Sequence, residues 1–433
     1  MLLHGWGRYP QVCGTLHRAT DIDHFRDVIR SAKAPLIAHA MGRSYGDSAL
    51  NTAAVSTLTL NKFIAFDERT GILHCQSGVI LADIIEALLP RGWFLAVVPG
   101  TKYITVGGAI ASDIHGKNHH HMGCFSETVQ ALTLLLPNGD LIECNRQQNS
   151  TLFFATCGGM GLTGIIVDAK IKLIPIKSTV IRQRIIPAQN LQQLCELFLM
   201  HQSAQYSVAW LDSFAKKPAL GQGFLLLGEH ETEVKSFTYL NRTSISVPMY
   251  LPSIINRFSL RLYNQMYKFR MACIAQESTV TINDFFFPLD RVQKYNYLYG
   301  RKGFVQYQLI LPMESAYAGL EKILQLVTCY SAGCCLAVLK LLGESNRNLL
   351  SFPLYGFTLA LDFKVRPQLF QLLNTLDQIV LAHGGRVYLT KDARMLDKMF
   401  KQSYPHVAEF NALRCDIGAN KIFQSLQSLR LGL

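Results

Sequence analysis

With 433 residues, 49% of them hydrophobic and only 17% charged, the chain is long enough for two or three domains and apolar enough for a large buried core. Its formal net charge of +12 points to an anionic partner, but no run of five Lys or Arg occurs, which argues against a nucleic-acid-binding arm. The eleven cysteines are odd in number and form no C-x-x-C pair, which argues against a disulfide framework and for reduced, buried thiols in a reducing compartment.

At the N-terminus, "MLLHGWGRYPQV" lacks the apolar core of a signal peptide, so none is expected. Residues 1–178 then alternate short apolar runs with Gly-rich turns. "TGILHCQSGV" reads as a strand, and "LADIIEALLPRG" as a helix stopped by Pro90 and Gly92. "VQALTLLLPNGDLIECN" reads as a hairpin turning at Pro137-Asn138-Gly139-Asp140, and "GLTGIIVDAKIKLIPI" as a further strand. The expectation is a turn-rich α+β domain.

From residue 179 the texture changes to three strand–helix–strand units, whose apolar period switches from about 2 to about 3.6 and back. The first is "TVIRQRIIP", "NLQQLCELFLMHQSA", "YSVAWLDSF". The second is "FVQYQLILP", "SAYAGLEKILQLVTCYS", "CCLAVLKLLG". The third is "FTLALDFKV", "PQLFQLLNTLDQIVLAHGG", "RVYLTKD". Such units predict one sheet with helices packed on one face. The remaining tail reads as mostly helical and too short for a domain, so it is expected to pack back on the first one.

Between the first two units, Val234 to Gln276 carries no acidic residue but six basic ones: Lys235, Arg242, Arg257, Arg261, Lys268 and Arg270. Within it, Ile254, Phe258, Leu262 and Met266 fall at helical spacing beside Arg257 and Arg261. A mobile flap touching a membrane and a helix packed on the second domain are both open readings of this stretch. The longest uncharged runs are broken by Gly, Pro, Ser or Gln, so no transmembrane helix is expected. The chain reads as cytoplasmic, at most peripheral to the inner face of a membrane.

Three Gly-rich loops fall in the first domain: "GRSYGDSALN", "PGTKYITVGGAIAS" and "CGGMGLTGII". Gly107, Gly108 and the small residues up to Ser112 let the backbone approach a ligand closely, with N–H groups open to phosphate oxygens. No loop is followed by the Lys-Ser/Thr of a P-loop, and neither "GGAIAS" nor "GGMGLTG" is read as carrying the G-x-G-x-x-G spacing of the strand–turn–helix dinucleotide fingerprint. Three such loops suit an extended cofactor lying across them. His115, His119, His120 and His121 follow within seven residues. As metal ligands they would need a sharply folded loop, and no thiolate or carboxylate completes the set, so no metal is expected. They otherwise cap turns, or, for His115 with Lys117, present polar groups into a pocket.

"GWGRYP", "GRSYGDSALN", "PGTKYITVGGAIASDIHGKNHH", "GGMGLTGII", "GFVQYQLILP", "VLKLLG" and "YLTKDARM" occur in the order seen in one family. Essentially end to end, the chain resembles the FAD-dependent decaprenylphosphoryl-β-D-ribose 2′-oxidase flavoproteins of the vanillyl-alcohol-oxidase-like superfamily. "DIHGKNHH" and "GRSYGD" are specific to it, whereas the Gly-Gly loops are shared across the superfamily. The resemblance implies an α+β fold: a two-part FAD-binding domain, 1–178 and 386–433. Residues 179–385 would be an inserted substrate domain, an antiparallel sheet with helices on one face.

The resemblance further implies that the loop after "PGT" wraps the FAD pyrophosphate. Cofactor contacts would come from Arg43, Ser44, Tyr45, Gly46 and Asp47, and from Pro99, Gly100, Thr101, Gly107, Gly108 and Ser112. His115, Gly116 and Asn118 would add to these, with Gly161, Gly164 and Ile165, and Lys391. Superfamily members with covalent FAD have a His near the position of Tyr45, which cannot form that bond, so noncovalent FAD is implied. Tyr45 as a plain turn aromatic is the alternative.

Gln306 and Gln308 share one face of their strand. Lys340 and Lys391 end the second and third units, where lysines commonly snorkel. The resemblance instead sets both around flavin and sugar phosphate, with Gln308, Tyr388, His115 and Lys117; His119 to His121 would be partly structural. Lys391, His115 and Gln308 are the implied catalytic residues, a cation at Lys391 stabilising negative charge that develops on the flavin. Gln306, Lys117, Lys340, Tyr388, Thr358 and Ala360 are the implied substrate-binding residues. Well-known members have Asn and Cys where this chain has Thr358 and Ala360, and Phe in place of Leu342; these positions line the substrate side.

The implied reaction oxidises the 2′-hydroxyl of a polyprenylphosphoryl pentose to a 2′-keto sugar, with His115 and Lys391 both candidates for the base. A separate NAD(P)H-dependent short-chain reductase would complete an epimerisation. One rival is an oxidase of a free sugar lactone or alditol, which the six cations disfavour. The other is a non-catalytic FAD-binding scaffold whose pocket has drifted at Thr358, Ala360 and Leu342.

Overall fold

A computed structural model describes residues 1–232, 245–248, 253–330 and 332–433. The N-terminal part is built on two main sheets. Thr15–Arg18, Ala53–Ser56 and Ile37–His39 lie parallel in that order. Helix Ile22–Ser31 covers them, its first turn capped by Asp21 and its buried stripe made by Phe25, Val28 and Ile29. The second sheet is antiparallel, in the order Leu141–Asn145, Val129–Leu135, Ile165–Pro175, Ile72–Gln76, Phe63–Asp67. Trp93–Leu95 pairs with the far end of Ile165–Pro175. The expected strands, hairpin and helix are all present. Helix Leu81–Leu88 runs through a 3-10 turn over Pro90 and stops at Gly92, whose φ of +80° glycine adopts freely.

Gly159, Gly161 and Gly164 do carry G-x-G-x-x-G spacing. They follow helix Ser150–Thr156 and lead into strand Ile165–Pro175, the reverse of the order in the dinucleotide fingerprint.

The larger sheet has eight strands in the order Glu277–Thr281, Val180–Ala188, Gly223–His230, Tyr206–Leu211, Leu336–Leu342, Gly356–Lys364, Phe304–Pro312, Arg386–Val387. Each predicted unit steps over one strand. Gly223–His230 lies between the strands of the first, Gly356–Lys364 between those of the second, and Phe304–Pro312 between those of the third. The ladders are therefore antiparallel, while the two strands within each unit run the same way.

Helices Leu191–Met200, Met313–Cys329 and Pro367–Ala382 cover one face. Val305, Tyr307, Leu309, Ala337, Leu339, Leu359, Leu361 and Phe363 point toward them and share a core with Leu194, Phe198, Leu320 and Leu373. Side chains alternate along a strand, so the opposite face carries Gln306, Gln308, Val338, Lys340, Thr358, Ala360 and Asp362. Of these, Gln306, Gln308, Thr358 and Asp362 are buried although polar. That face is covered by the N-terminal loops.

The tail is helical, as expected, with Asp397–Ser403, Val407–Asp416, Ala419–Ile422 and Leu426–Leu431. It returns to the N-terminal part: Phe423 bridges to Leu36, Gln424 O accepts from Asn51 Nδ2 at 2.7 Å, and Arg414 Nε donates to Leu162 O at 3.1 Å. In the basic stretch, Arg257–Cys273 is one helix; Lys235 and Arg242 lie outside the described residues. No helix among the described residues is long and apolar enough to cross a membrane. The eleven cysteines are free, but the expectation of burial fails at Cys13, Cys273, Cys329 and Cys415. The first three sit at the ends of elements and Cys415 near the end of its helix, where the core no longer covers them.

Candidate active site

Between the polar face of the large sheet and the N-terminal loops lies a cavity of about 660 Å³. Ligand pockets typically run ~300–1,000 Å³. Each Gly-rich loop contributes: Gly42 to Tyr45 from the first; Pro99, Gly100, Thr101, Gly107, Gly108 and Ser112 from the second; Gly161 and Gly164 from the third. The sheet adds Gln306, Gln308, Lys340 and Ala360, and the C-terminal return adds Tyr388 and Lys391. With His115, the structure thus brings most of the expected site residues to one wall system.

Seven expected residues do not line the cavity, each for a packing reason. A Cβ on Gly46 would lie 1.8 Å from Asp392 O, so that glycine serves the contact between loop and tail. Asp47 is held by Arg430 Nη2 at 2.7 Å. A Cβ on Gly116 would meet Val98 O at 2.8 Å. Asn118 Nδ2 donates to Ala96 O at 2.7 Å, and Ile165 is buried beside Ile166, the residue that does line the cavity. The Lys117 ammonium donates to Phe285 O and lies 4.2 Å from the centre of the Phe285 ring. Thr358 stands behind Gln308 and donates to Leu309 O at 2.8 Å.

The expectation that Gly107 and Gly108 leave their amides open also fails. Gly107 N donates to Ser77 O at 2.7 Å, and Gly108 N to Thr105 Oγ1 at 3.1 Å, the N-cap of helix Val106–Ala111. A Cβ on Gly107 would lie 2.9 Å from Ser77 Cβ, so its smallness serves packing. Gly100 differs: a Cβ there would meet nothing within 4 Å.

The sheet end of the cavity is rich in cations. Burial pushes the Lys391 ammonium down to about 7, with Asp362 pulling it up and Lys340 pushing it further down. Lys391 Nζ also lies 3.8 Å from the centre of the Tyr45 ring. Burial lowers Lys340 to about 8. Lys117, behind the wall, falls to about 7 through burial and then Lys340. Asp362 rises to about 6 through burial, opposed by the bond from Gln306 Nε2 at 2.6 Å, by Lys391 and by Tyr299. His115 is held well below the usual imidazole range by burial, then by Lys340, His119 and Lys391, so it is neutral. Its ring stacks on Phe352 at 5.6 Å, and the Tyr388 hydroxyl donates to Ser112 O at 2.7 Å.

The four histidines diverge. His119 Nδ1 accepts from Gly343 N at 3.0 Å, His120 Nε2 lies 2.9 Å from Ala204 O, and His121 is exposed. Among the described residues no three His, Cys, Asp or Glu side chains group as a metal site.

Sequence reasoning missed Trp6, Ser77, Tyr103, Asp290 and Tyr295, all on the cavity wall. Arg43 lies over Trp6 at 4.1 Å, and Asp290 Oδ2 accepts from Lys102 N at 3.0 Å. Trp6 belongs to "GWGRYP", one of the stretches that carry the family resemblance, and could have been found there. Asp290 and Tyr295 sit on a loop far away in sequence, with no local signal.

The residues present fit FAD. The walls run from His39 and Thr57 beside the small parallel sheet to Lys340 on the large one, room for an extended cofactor. Arg43, Lys340 and Lys391 supply positive charge. Two buried polar atoms of wall residues, Ser77 Oγ and His115 Nδ1, have no protein partner, as expected where a ligand completes the site.

Comparison with known proteins agrees. An FAD binding domain family model matches residues 15–145. The decaprenylphosphoryl-β-D-ribose oxidase of Mycolicibacterium smegmatis is 32% identical over all of this chain and 97% of its own length. Partial matches include a Δ(24)-sterol reductase of Rattus norvegicus, 31% identical over 33% of this chain and 27% of that protein. A putative D-arabinono-1,4-lactone oxidase of Neurospora crassa is 26% identical over 42% of this chain and 33% of that protein. Full-length similarity and a cavity built to hold FAD place this chain in the decaprenylphosphoryl-β-D-ribose oxidase family of FAD-dependent oxidoreductases.

Proposed function

We propose that the protein oxidises the 2′-hydroxyl of a polyprenylphosphoryl pentose to a 2′-keto sugar, the first half of an epimerisation. The observation that carries this is the convergence of Lys340, Lys391, Gln308 and His115 at one end of the FAD cavity. The Lys340 cation there suits an anionic sugar phosphate better than a neutral lactone. FAD, when bound, supplies the hydride acceptor.

Residue roles follow from protonation. His115 Nε2 already accepts from Gln308, and the ring is neutral, so His115 orients and donates rather than takes a proton. Lys391, near 7, has a neutral amine available at physiological pH, and we assign it the hydroxyl proton. Lys340 holds the phosphate side, while Gln306, Tyr388 and Ala360 shape the sugar pocket; Thr358 and Lys117 act from behind the wall. FAD is held noncovalently by the three loops, with Tyr45 against Lys391.

The domain division proposed is an FAD-binding part, 1–178 with 386–433, around a substrate domain, 179–385. A separate NAD(P)H-dependent short-chain reductase would return the keto sugar to an alcohol. A lipid-linked substrate supports a peripheral location at a membrane surface.

Anaerobic mixing tests the reading. Loss of flavin absorbance with a prenylphosphoryl pentose, and not with free pentose or a sugar lactone, is expected. Bleaching by the lactone alone would overturn it.

A further inference from the structure

Helix Arg257–Cys273 packs on its domain by one narrow face. Leu260, Asn264 and Met271 are buried, and Tyr267 lies against Trp210 at 4.6 Å. Asn264 Nδ2 and Lys268 Nζ both donate to the Asp212 carboxylate, at 2.8 and 3.2 Å, so Lys268 is turned inward. At about 100° per residue, Phe258, Leu262, Met266, Phe269 and Cys273 fall on the opposite side. All five are exposed, Phe258 by 78% and Phe269 by 74%. A globular protein normally turns a polar face to water there. Arg261 and Arg270 flank the two edges of the stripe, and residues 253–276 contain no acid.

Segments ahead of the helix lie against the stretch of chain that forms one side of the cavity wall. Ile245–Ser246, with Ile245 exposed, pairs with Val292–Gln293, two residues of the cavity wall. Just ahead of the helix, Ser253 Oγ donates to Leu298 O at 2.9 Å, in the chain that continues from that wall.

We propose that this helix face docks on an anionic lipid bilayer, the apolar stripe entering the acyl boundary while Arg261 and Arg270 meet headgroup phosphates. The charge pattern selects this occupant. A second copy docking face to face would oppose arginines with no acid to meet them. The purpose rests on the proposed activity toward a lipid-linked sugar: a cavity beside the bilayer receives a sugar whose lipid never leaves it.

The full-length holoprotein is sedimented with phosphatidylcholine–phosphatidylglycerol vesicles and with pure phosphatidylcholine. Wild type should pellet with the anionic vesicles and detach as salt rises. Arg261→Gln/Arg270→Gln should bind about thirty-fold more weakly, two cations' worth of attraction. Phe258→Ser/Leu262→Ser/Phe269→Ser should lose binding while keeping its flavin and its bleaching by a short-chain soluble substrate. Wild type left in the supernatant, or equal binding by all three proteins, would overturn the proposal. So would a dimer in light scattering that the apolar variant returns to monomer, since the occupant would then be a second copy. Vesicle binding without bleaching by prenylphosphoryl pentose would sink the substrate reading alone.

Discussion

The Gln308 side-chain nitrogen donates to His115 Nε2 at 2.9 Å, and this bond decides which ring nitrogen carries the proton. The amide cannot turn over freely, because the same nitrogen reaches Thr358 Oγ1 at 3.2 Å. The Thr358 proton is committed to Leu309 O, so that hydroxyl accepts from Gln308. His115 Nε2 is therefore an acceptor and its proton sits on Nδ1, the atom with no protein partner.

Thr358→Val should let the Gln308 amide turn and the tautomer mix. Flavin reduction is expected to slow about tenfold, the worth of one hydrogen bond, with FAD content unchanged. Thr358→Ser should restore it, and ring nitrogen chemical shifts should follow the tautomer. Gln308→Leu should weaken reduction further; loss of FAD from that variant would mean this sheet face holds cofactor rather than substrate.

Lys391→Ala should slow flavin reduction on the order of 10²-fold without unfolding the protein. The pH profile separates its roles. Lys391 loses its proton as pH rises through about 7, so a base gives a rate that rises there and then levels. The rise should vanish in Lys391→Ala. A wild-type rate that instead falls through the same range would mean the cation matters rather than the amine.

FAD should come off when the protein is denatured. The Tyr45 phenol lies 3.2 Å from Tyr295 OH, and burial raises it well above the usual range, so it stays protonated and offers no histidyl link. Acid precipitation should leave the yellow colour in solution; a yellow pellet would contradict noncovalent binding.

Arg430 bridges Asp47 at 2.7 Å and Asp392 at 2.8 Å. Arg430→Met would leave two buried carboxylates facing each other and should cost about 3–5 kcal/mol. Both carboxylates neighbour residues of the cavity wall, so FAD affinity should fall with stability. An unchanged urea midpoint would show that the tail is held by its apolar contacts alone.

The large sheet was legible because its units combine long amphipathic helices with apolar strands, and because strand alternation by itself puts Gln306 and Gln308 on one face. Helix Ile22–Ser31 carries the same kind of signal, with Ile22, Phe25, Val28 and Ile29 at helical spacing behind the capping Asp21, although most of its ten residues are polar. The glycines were legible as important but not in role: Gly46, Gly107 and Gly116 make room for neighbouring protein, a need that depends on residues distant in sequence. Asp290 and Tyr295 reach the cavity only through tertiary folding. The expected part of the wall came from stretches whose chemistry stands together in the sequence, while His39, Thr57 and Ser77 join it from elsewhere.

Asp47 and Arg430 are 383 residues apart. At about 5–20 residues per second, on the order of a minute or less separates their synthesis. Through that interval the first loop has neither Thr390 O for Tyr45 N nor the Asp392 carbonyl against Gly46. The glycine-rich cradle therefore lacks that part of its wall until the tail has been made and folded back, and loading with flavin waits on that step.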